Sequence, residues 1–254
     1  MSKSDSVDVV IPTYNETTRL KRALDSVLRQ DGNIKNIYII DDGSNLQVRL
    51  FLEENISKMN RVRLILVEHT GNPAIIRNIG IKQCDSKWVA FLDSDDEWID
   101  GKLETQLDFA SQKNLDFVAT DALINEEGQE TRNYLGAMKK SHITTKDLIN
   151  GNLVINSSAI VKLEKLKQIE GYASENHVRG IEDYATWLRL STNCKIGIMS
   201  QPLVGYSFSG NSFSRNLPPV LTDIALLDFY FWMKIHNVKK SRFVLLLKII
   251  RRMI

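Results

Sequence analysis

The fold is set by residues 7–16, VDVVIPTYNE, together with residues 36–44, NIYIIDDGS, and residues 88–96, WVAFLDSDD. Each stretch opens with a run of apolar residues of strand length and closes with polar or acidic residues. Between the first two stretches apolar residues recur at helical spacing, at Leu20, Ala23, Leu24, Val27 and Leu28. Alternation of strands with helices predicts an α/β protein whose mostly parallel, Rossmann-like central sheet is flanked by helices.

The same patterns extend through the chain, although the second half is less regular. They predict a helix over residues 16–30, strands over 36–40, 62–67 and 88–92, and a helix over 73–81. Further on they predict strands near 117–119 and 155–161, a polar stretch over 125–146, and helices near 182–191 and 222–235.

Composition excludes several classes of protein. The 254 residues are 43% hydrophobic and 25% charged, which is typical of a globular chain and excludes disorder. A formal net charge of +2 is too small to indicate nucleic-acid binding. Cys84 and Cys194 form no CxxC pair, so neither a disulfide framework nor a zinc site is predicted. The first apolar run is too short for a signal peptide or a membrane span, so we expect a cytoplasmic protein.

Acidic residues follow the apolar runs at the positions where α/β sheets bind ligands, beyond the carboxyl ends of the strands. Asp41 and Asp42 follow one run, and Asp93, Asp95 and Asp96 follow another. Carboxylates beside a bound diphosphate would repel it unless a divalent cation intervened. Oxygen ligands suit Mg²⁺ or Mn²⁺ rather than zinc. A metal-dependent site for a diphosphate is therefore the simplest interpretation.

A longer series of motifs resembles a known family. In order, the chain carries IPTYNE, DDGS, Arg77-Asn78-x-Gly80, DSDD and Glu182-Asp183-Tyr184 followed by Trp187 and Arg189. Over residues 7–210 this order resembles the family 2 glycosyltransferases of the GT-A fold, many of which build bacterial surface polysaccharides such as O-antigen or capsule. The resemblance implies a nucleotide-sugar-binding half at 1–120 and an acceptor-binding and catalytic-base half at 121–215. Beyond the part that it covers, we expect a C-terminal, membrane-associating extension of amphipathic helices at 216–254.

The resemblance assigns donor-binding roles to eight residues. These are Pro12, Tyr14, Glu16, Asp42, Arg77, Asp93, Ser94 and Asp95. Pro12 and Tyr14 would line the uracil site, and Asp42 would accept from the uracil N–H, so that GDP-sugars should fail as donors. Asp95 would hold Mn²⁺ or Mg²⁺ against the diphosphate, with Asp93 nearer the ribose.

Local structural roles compete with these assignments. Asp41 is expected to stabilise a turn rather than to touch a ligand. Arg77 could be a solvated cation on a helix face. The DSD carboxylates could cap a helix, and the acidic pair at 182–183 could stabilise the first turn of one.

An inverting transfer needs a base for the acceptor hydroxyl and charge stabilisation for the departing UDP. The resemblance makes Asp183 the base, and Glu182 a residue that orients Asp183 or binds the acceptor. An α-linked UDP-hexose, whether glucose, galactose or an N-acetyl form, would then give a β-linked product. His177 is expected to be acceptor-side or simply exposed.

The segment that follows Tyr206 departs from the family. Many members carry an arginine and often a histidine there, whereas this chain reads YSFSGNSFS over residues 206–214. Ser212, Ser214 and Arg215 are candidates to replace them.

Two other functions stay open at the level of sequence. A nucleotidyltransferase would use a similar frame, but it usually needs a Gly-rich phosphate loop that IPTYNETTR does not provide. A non-catalytic glycan- or lipid-binding protein of the same fold is disfavoured because Asp95 and Asp183 are both present.

Residues 239–254 form a basic amphipathic pattern. Apolar residues from Phe243 to Ile254 gather on one side of a helix, and Lys248, Arg251 and Arg252 gather on the other. This pattern predicts a peripheral helix at the anionic inner face of the cytoplasmic membrane, near a polyprenyl-diphosphate-linked saccharide acceptor. The alternative is a helix docked on the protein itself or in a dimer interface.

Overall fold

The computed structural model describes residues 5–30, 33–126, 132–136, 140–208 and 219–238. Within them, ten strands form one sheet. The strands are β1 (Val7–Thr13), β2 (Ile34–Asp41), β3 (Val62–Leu66), β4 (Trp88–Phe91), β5 (Glu97–Trp98), β6 (Phe117–Glu126), β7 (Arg132–Asn133), β8 (His142–Ile143), β9 (Ile160–Lys162) and β10 (Ile196–Phe208).

Helices cover the sheet. They are α1 (Thr18–Leu28), α2 (Leu46–Phe51), α3 (Pro73–Gln83), α4 (Lys102–Lys113), α5 (Thr145–Leu148), α6 (Leu163–Gln168), α7 (Glu182–Leu190) and α8 (Pro219–Ile235). A π-helical turn spans Leu52–Ile56, and 3₁₀ turns span Asn156–Ser158 and Asn176–Val178.

The first half of the sheet is parallel, as the sequence predicts. Strands β3, β2, β1 and β4 lie side by side in that order, with Val10 opposite Tyr38 on β2 and Phe91 on β4. Strands β1 and β4 are covered on both faces, which explains why they are mostly apolar, whereas the edge strand β3 is only partly buried. Helix α3 lies directly on it: a Cβ at Gly80 would stand 2.6 Å from the Val10 side chain, so glycine is required there.

The second half of the sheet is mixed. Strand β9 runs antiparallel between β4 and β6, whereas β6 and β10 are parallel to each other. The strand predicted near 155–161 is wrong in its first residues, because Asn156–Ser158 form a 3₁₀ turn and only Ile160–Lys162 pair. Since β9 runs antiparallel to β4, this turn enters the sheet at the edge where β4 ends. It therefore faces the residues that follow β4.

Helix α7 carries the second half of the site and is buried along most of its length. The ring of Trp187 packs against Phe117 of β6 and Tyr172, with centroids 5.0 and 5.6 Å away. Helix α8 packs against α7. None of the helices in the described ranges has the length and apolar character needed to span a bilayer. The predicted membrane helix at 239–254 lies outside the described residues.

Candidate active site

Two cavities open where the parallel strands end. The first, here called the donor cleft, has a volume of about 450 Å³. Its lining includes all eight residues predicted to bind the donor, namely Pro12, Tyr14, Glu16, Asp42, Arg77, Asp93, Ser94 and Asp95. They meet because the carboxyl ends of parallel strands share one edge of the sheet.

The second cavity, here called the acceptor cleft, has a volume of about 570 Å³. It is lined by Glu182 and Asp183 at the start of α7, by Asn152, and by Tyr134 and Tyr206. The donor and acceptor clefts share five lining residues: Gly71, Pro73, Arg77, Asp93 and Arg179. The two cavities are therefore neighbouring parts of one site.

The outer end of the donor cleft has an aromatic wall. Tyr14 is 48% exposed and stacks on His69, with ring centroids 4.3 Å apart. Asp42 holds the loop that carries His69, since its carboxylate accepts from the backbone N–H groups of Thr70 (2.6 Å) and Gly71 (2.9 Å). Sequence reasoning missed His69, which no motif marks.

Asp41 and Glu16 have local structural roles. Asp41 is fully buried and accepts from the backbone N–H of Ser44 at 3.1 Å, so its interpretation as a turn residue is confirmed. The Glu16 carboxylate lies before α1, accepts from the backbone N–H groups of Thr17 and Arg19, and pairs with the Arg19 guanidinium. Glu16 thus lines the donor cleft with a carboxylate that already has partners.

The DSDD residues follow β4 and precede β5. The interpretation of these carboxylates as caps is wrong, because no helix begins here. Asp93 accepts from Asn156 Nδ2 at 2.8 Å, and its backbone N–H donates to Ser157 Oγ at 3.0 Å. Asp96 is buried, accepting from Ser157 Oγ (2.5 Å) and from the backbone N–H of Ser207 (2.9 Å).

Asp95 is the carboxylate that best fits a divalent cation. Burial, and then the neighbouring charge of Asp93, raise the pKa of Asp95 above its usual value. A cation would relieve this repulsion. In the described ranges no three His, Cys, Asp or Glu side chains gather closely enough to enclose a metal. Asp95 and Asp93 would supply one or two carboxylate ligands to Mg²⁺ or Mn²⁺, and phosphate oxygens of the substrate would complete the ligand set.

Arg77 joins the donor and acceptor clefts. It is only 5% exposed, so its interpretation as a solvated cation is wrong. Its Nη2 donates to Asp93 Oδ1 at 2.7 Å and its Nη1 donates to Glu182 Oε1 at 3.0 Å. Burial alone would lower the pKa of Arg77, but the two carboxylates outweigh it and raise the pKa above its usual value. Arg77 thus ties the DSD turn to the start of α7.

Asp183, the predicted base, follows Glu182 directly and is held by two hydrogen bonds. Its Oδ1 accepts from the backbone N–H of Tyr184 at 2.6 Å, and its Oδ2 accepts from Asn152 Nδ2 at 3.2 Å. Burial, followed by the charge of Glu182, raises the pKa of Asp183 to about 7. A carboxylate with this pKa can accept a proton at neutral pH. Asn152 was missed by sequence reasoning because it lies 31 residues away on an irregular segment.

Glu182 is less available to a ligand than Asp183, because its carboxylate already forms an ion pair with Arg77. One of its oxygens accepts from Arg77, and the other accepts from the backbone N–H of Gly180 at 2.7 Å. Its side chain is also largely buried. In this arrangement Glu182 contributes to the acceptor cleft mainly by fixing Arg77 and the start of α7.

His177 and Arg189 lie away from the reacting centre. His177 is exposed and its Nε2 lies 2.9 Å from Asp228 Oδ1 on α8, which confirms the expectation of an exposed histidine. The buried Arg189 guanidinium donates to the same Asp228 carboxylate and to Glu175. Arg189 therefore fastens α7 to α8. The candidate replacements Ser212, Ser214 and Arg215 lie outside the described residues.

Known proteins resemble this chain in sequence. The sequence profile of glycosyl transferase family 2 matches residues 8–169. TuaG of Bacillus subtilis, a glycosyltransferase named for teichuronic acid biosynthesis, is 28% identical over 215 residues, covering 83% of this chain and 82% of TuaG. The Escherichia coli UDP-Glc:alpha-D-GlcNAc-diphosphoundecaprenol beta-1,3-glucosyltransferase WfgD is 31% identical over 112 residues, 44% of each chain.

The fold has solved counterparts. The crystal structure of Staphylococcus aureus TarS 1-349 in complex with UDP-GlcNAc superposes with a TM-score of 0.75 at 18% identity, covering 94% of this chain and 69% of that one. This similarity confirms the expected GT-A fold. Since the family profile spans more than half of the chain, the protein belongs to glycosyl transferase family 2.

Proposed function

We propose that the protein is an inverting, metal-dependent hexosyltransferase of bacterial surface polysaccharide synthesis. Its donor is a UDP-sugar carrying glucose, galactose or an N-acetyl form, and its acceptor is a saccharide linked to a polyprenyl diphosphate. The product is a β-linked sugar. Family membership argues against the alternative of a nucleotidyltransferase.

The observation that best supports this proposal is that the donor and acceptor clefts adjoin. One cleft gathers the residues suited to a nucleoside diphosphate, and the other presents Asp183 with a pKa of about 7. Arg77 and Asp93 line both. A sugar attached to a diphosphate in the donor cleft can therefore point towards a hydroxyl in the acceptor cleft.

The substrates are inferred from relatives. WfgD is named for UDP-glucose and for an acceptor on diphosphoundecaprenol. TarS was solved with UDP-GlcNAc, and TuaG is named for a cell-wall polysaccharide. Together these names support a UDP-sugar donor and a lipid-linked saccharide acceptor.

Each residue then has a task in the transfer. Tyr14 stacks on the uracil and Asp42 accepts from its N–H, since Asp42 keeps lone pairs beyond those used by Thr70 and Gly71. Asp183 takes the proton of the acceptor hydroxyl as that oxygen attacks the anomeric carbon, and Asn152 orients the carboxylate. When bound at Asp95, a divalent cation supplies positive charge to the diphosphate.

A membrane location completes the proposal. The basic amphipathic segment 239–254 would hold the site near a lipid-linked acceptor at the anionic inner face of the cytoplasmic membrane. Deleting residues 239–254 should release the protein from anionic liposomes and slow transfer to long-chain acceptors, while sparing short soluble ones. A truncated chain that still sediments with liposomes like the full chain would contradict the anchor.

The proposed activity is tested with a panel of UDP-sugars and a synthetic lipid-diphosphate sugar acceptor. UDP release is measured with and without acceptor in the presence of Mn²⁺ or Mg²⁺, and the linkage of the product is read by NMR. We expect one UDP-sugar to give acceptor-dependent release and a β-linked product. UDP binding without acceptor-dependent release from any donor would instead indicate a non-catalytic binding protein. Efficient use of GDP-mannose would overturn the role of Asp42.

A further inference from the structure

The donor cleft has an unbalanced set of charges. Its acidic lining includes Asp42, Asp93 and Asp95, and a nucleoside diphosphate would add further negative charge. The arginines of the lining are Arg19, Arg77 and Arg179. Which of these cations is available to a phosphate decides how the diphosphate can be held.

Two of the three arginines already form ion pairs with carboxylates. Arg19 pairs with Glu16 through Nε and Oε2, 2.5 Å apart. Arg77 is buried between Asp93 and Glu182. Breaking either of the Arg77 pairs would leave a largely buried carboxylate without its partner, which is costly. Neither Arg19 nor Arg77 is therefore free to serve as the main counter-charge of an incoming diphosphate.

Arg179 is different. Its side chain is exposed, and within the described ranges it forms no ion pair. It follows the 3₁₀ turn Asn176–Val178 and reaches across to the 69–71 loop. A Cβ placed on Gly71 would stand 3.3 Å from Arg179 Nη2 and 3.5 Å from His69 Nε2. The guanidinium therefore lies over Gly71, beside the aromatic wall of the donor cleft.

The two walls that bring Arg179 and Gly71 together are joined by hydrogen bonds. Asn72 Nδ2 donates to the carbonyl of Ser174 at 3.1 Å, and Asn78 Nδ2 donates to the carbonyl of Tyr172 at 3.0 Å. Asp42 holds the backbone of Gly71 from the other side. The approach of Arg179 to the donor cleft is thus built into the fold, which lowers the cost of ordering it around a ligand.

We propose that Arg179 binds the diphosphate of the nucleotide donor and stabilises the negative charge of the departing UDP. This inference rests on the proposed function. A guanidinium presents paired N–H donors that match phosphate oxygens, and its contact strengthens as charge develops on the leaving group. Arg179 lines the donor cleft together with Asp42 and Asp95. Unlike those two residues, Arg179 also lines the acceptor cleft.

The test measures binding of UDP, UMP and uridine by calorimetry with Mn²⁺ present. Arg179→Ala should weaken UDP about tenfold or more, the effect of losing one charged hydrogen-bonded contact. It should weaken UMP less and leave uridine unchanged. Arg179→Lys should recover part of the loss, because lysine keeps the positive charge but lacks the paired N–H donors of the guanidinium. Arg29→Ala is the matched control, since Arg29 is an exposed arginine at the far end of α1 that pairs with Asp100.

Kinetic assays give the second arm of the test. Arg179→Ala should lower kcat with lipid-diphosphate and with short alkyl acceptors alike, because the lost contact is to the donor. A loss confined to the lipid-diphosphate acceptor would overturn the proposal and assign Arg179 to the acceptor. Unchanged UDP affinity in Arg179→Ala, or UDP affinity lost only in Arg215→Ala, would also overturn it. If the wild type binds no UDP, the proposed function itself fails. If only the Arg179 effect is missing, this inference alone fails.

Discussion

The carboxylates of the donor cleft and those of the acceptor cleft differ in what holds them in place. In the donor cleft, Asp42 and Asp95 follow strand ends, and Asp42 is fixed by backbone N–H groups of a nearby loop. In the acceptor cleft, Glu182 and Asp183 begin a buried helix. Besides one nearby backbone N–H each, they accept from side chains of distant segments, Arg77 and Asn152. The comparison shows how one residue type serves two purposes. Backbone N–H groups of one loop hold Asp42 in place, whereas burial, and then the charge of Glu182, raise the pKa of Asp183 to about 7.

The largest effect is expected on the donor side, from Asp95→Ala. The diphosphate would lose the divalent cation that Asp95 is proposed to hold, so turnover and metal-dependent UDP binding should disappear together. Both are measured in the same preparation, by UDP release and by calorimetry with and without Mn²⁺. Asp100→Ala, which removes an exposed carboxylate on the same segment, serves as the control. Undiminished turnover in excess EDTA would show that no metal is needed.

On the acceptor side, Asp183→Asn should separate chemistry from binding. The amide keeps the shape of the side chain but cannot take a proton, so kcat should fall by roughly two to four orders of magnitude. UDP affinity should stay nearly unchanged, because Asp183 lines only the acceptor cleft. Steady-state kinetics and UDP calorimetry measure the two quantities. Normal turnover in this variant would show that a residue other than Asp183 is the base.

Arg77→Met should damage both clefts at once. Removing the guanidinium leaves Asp93 and Glu182 largely buried without their common partner, at a cost of about 3–5 kcal/mol in the free energy of unfolding. Urea denaturation measures this cost, and UDP affinity and turnover should both fall. Adding Glu182→Gln to the variant should restore part of the stability by removing one unpaired charge. A variant as stable as the wild type would show that the bridge contributes nothing.

The smallest expected effect is the dependence of activity on pH. Asp183 must be ionised to act as a base, so kcat/KM should rise about tenfold per pH unit below about pH 7 and level off above it. Burial, and then the charges of Glu182 and Asp93, raise the pKa of Asp183, while the Arg77 guanidinium lowers it. The residual activity of Asp183→Asn should lack this rise. A flat profile for the wild type between about pH 5.5 and pH 8 would contradict the assignment of Asp183 as the base.

Some elements could not be predicted because tertiary contacts override the local pattern. Helix α4 places Lys102 and Gln106 inside the protein, where Lys102 donates to Gln106 and lies 4.2 Å from the centroid of the Trp98 ring. Buried polar residues conceal the apolar spacing that marks a helix. The residues before β9 likewise have the composition of a strand. They form a 3₁₀ turn instead, in which Ser157 Oγ accepts from the backbone N–H of Asp93 and donates to the Asp96 carboxylate.

The sequence by itself determined the parallel strands and the donor cleft. Apolar runs define β1, β2 and β4, and any residues that follow such strands must meet at the same edge of the sheet. Only the tertiary structure decided the partners of those residues. It brought Arg77 between Asp93 and Glu182, placed Asn152 against Asp183, and laid Arg179 over Gly71. These pairs join segments far apart in the chain, so their contacts depend on how the helices and loops pack on the sheet. No local pattern of residues encodes that packing.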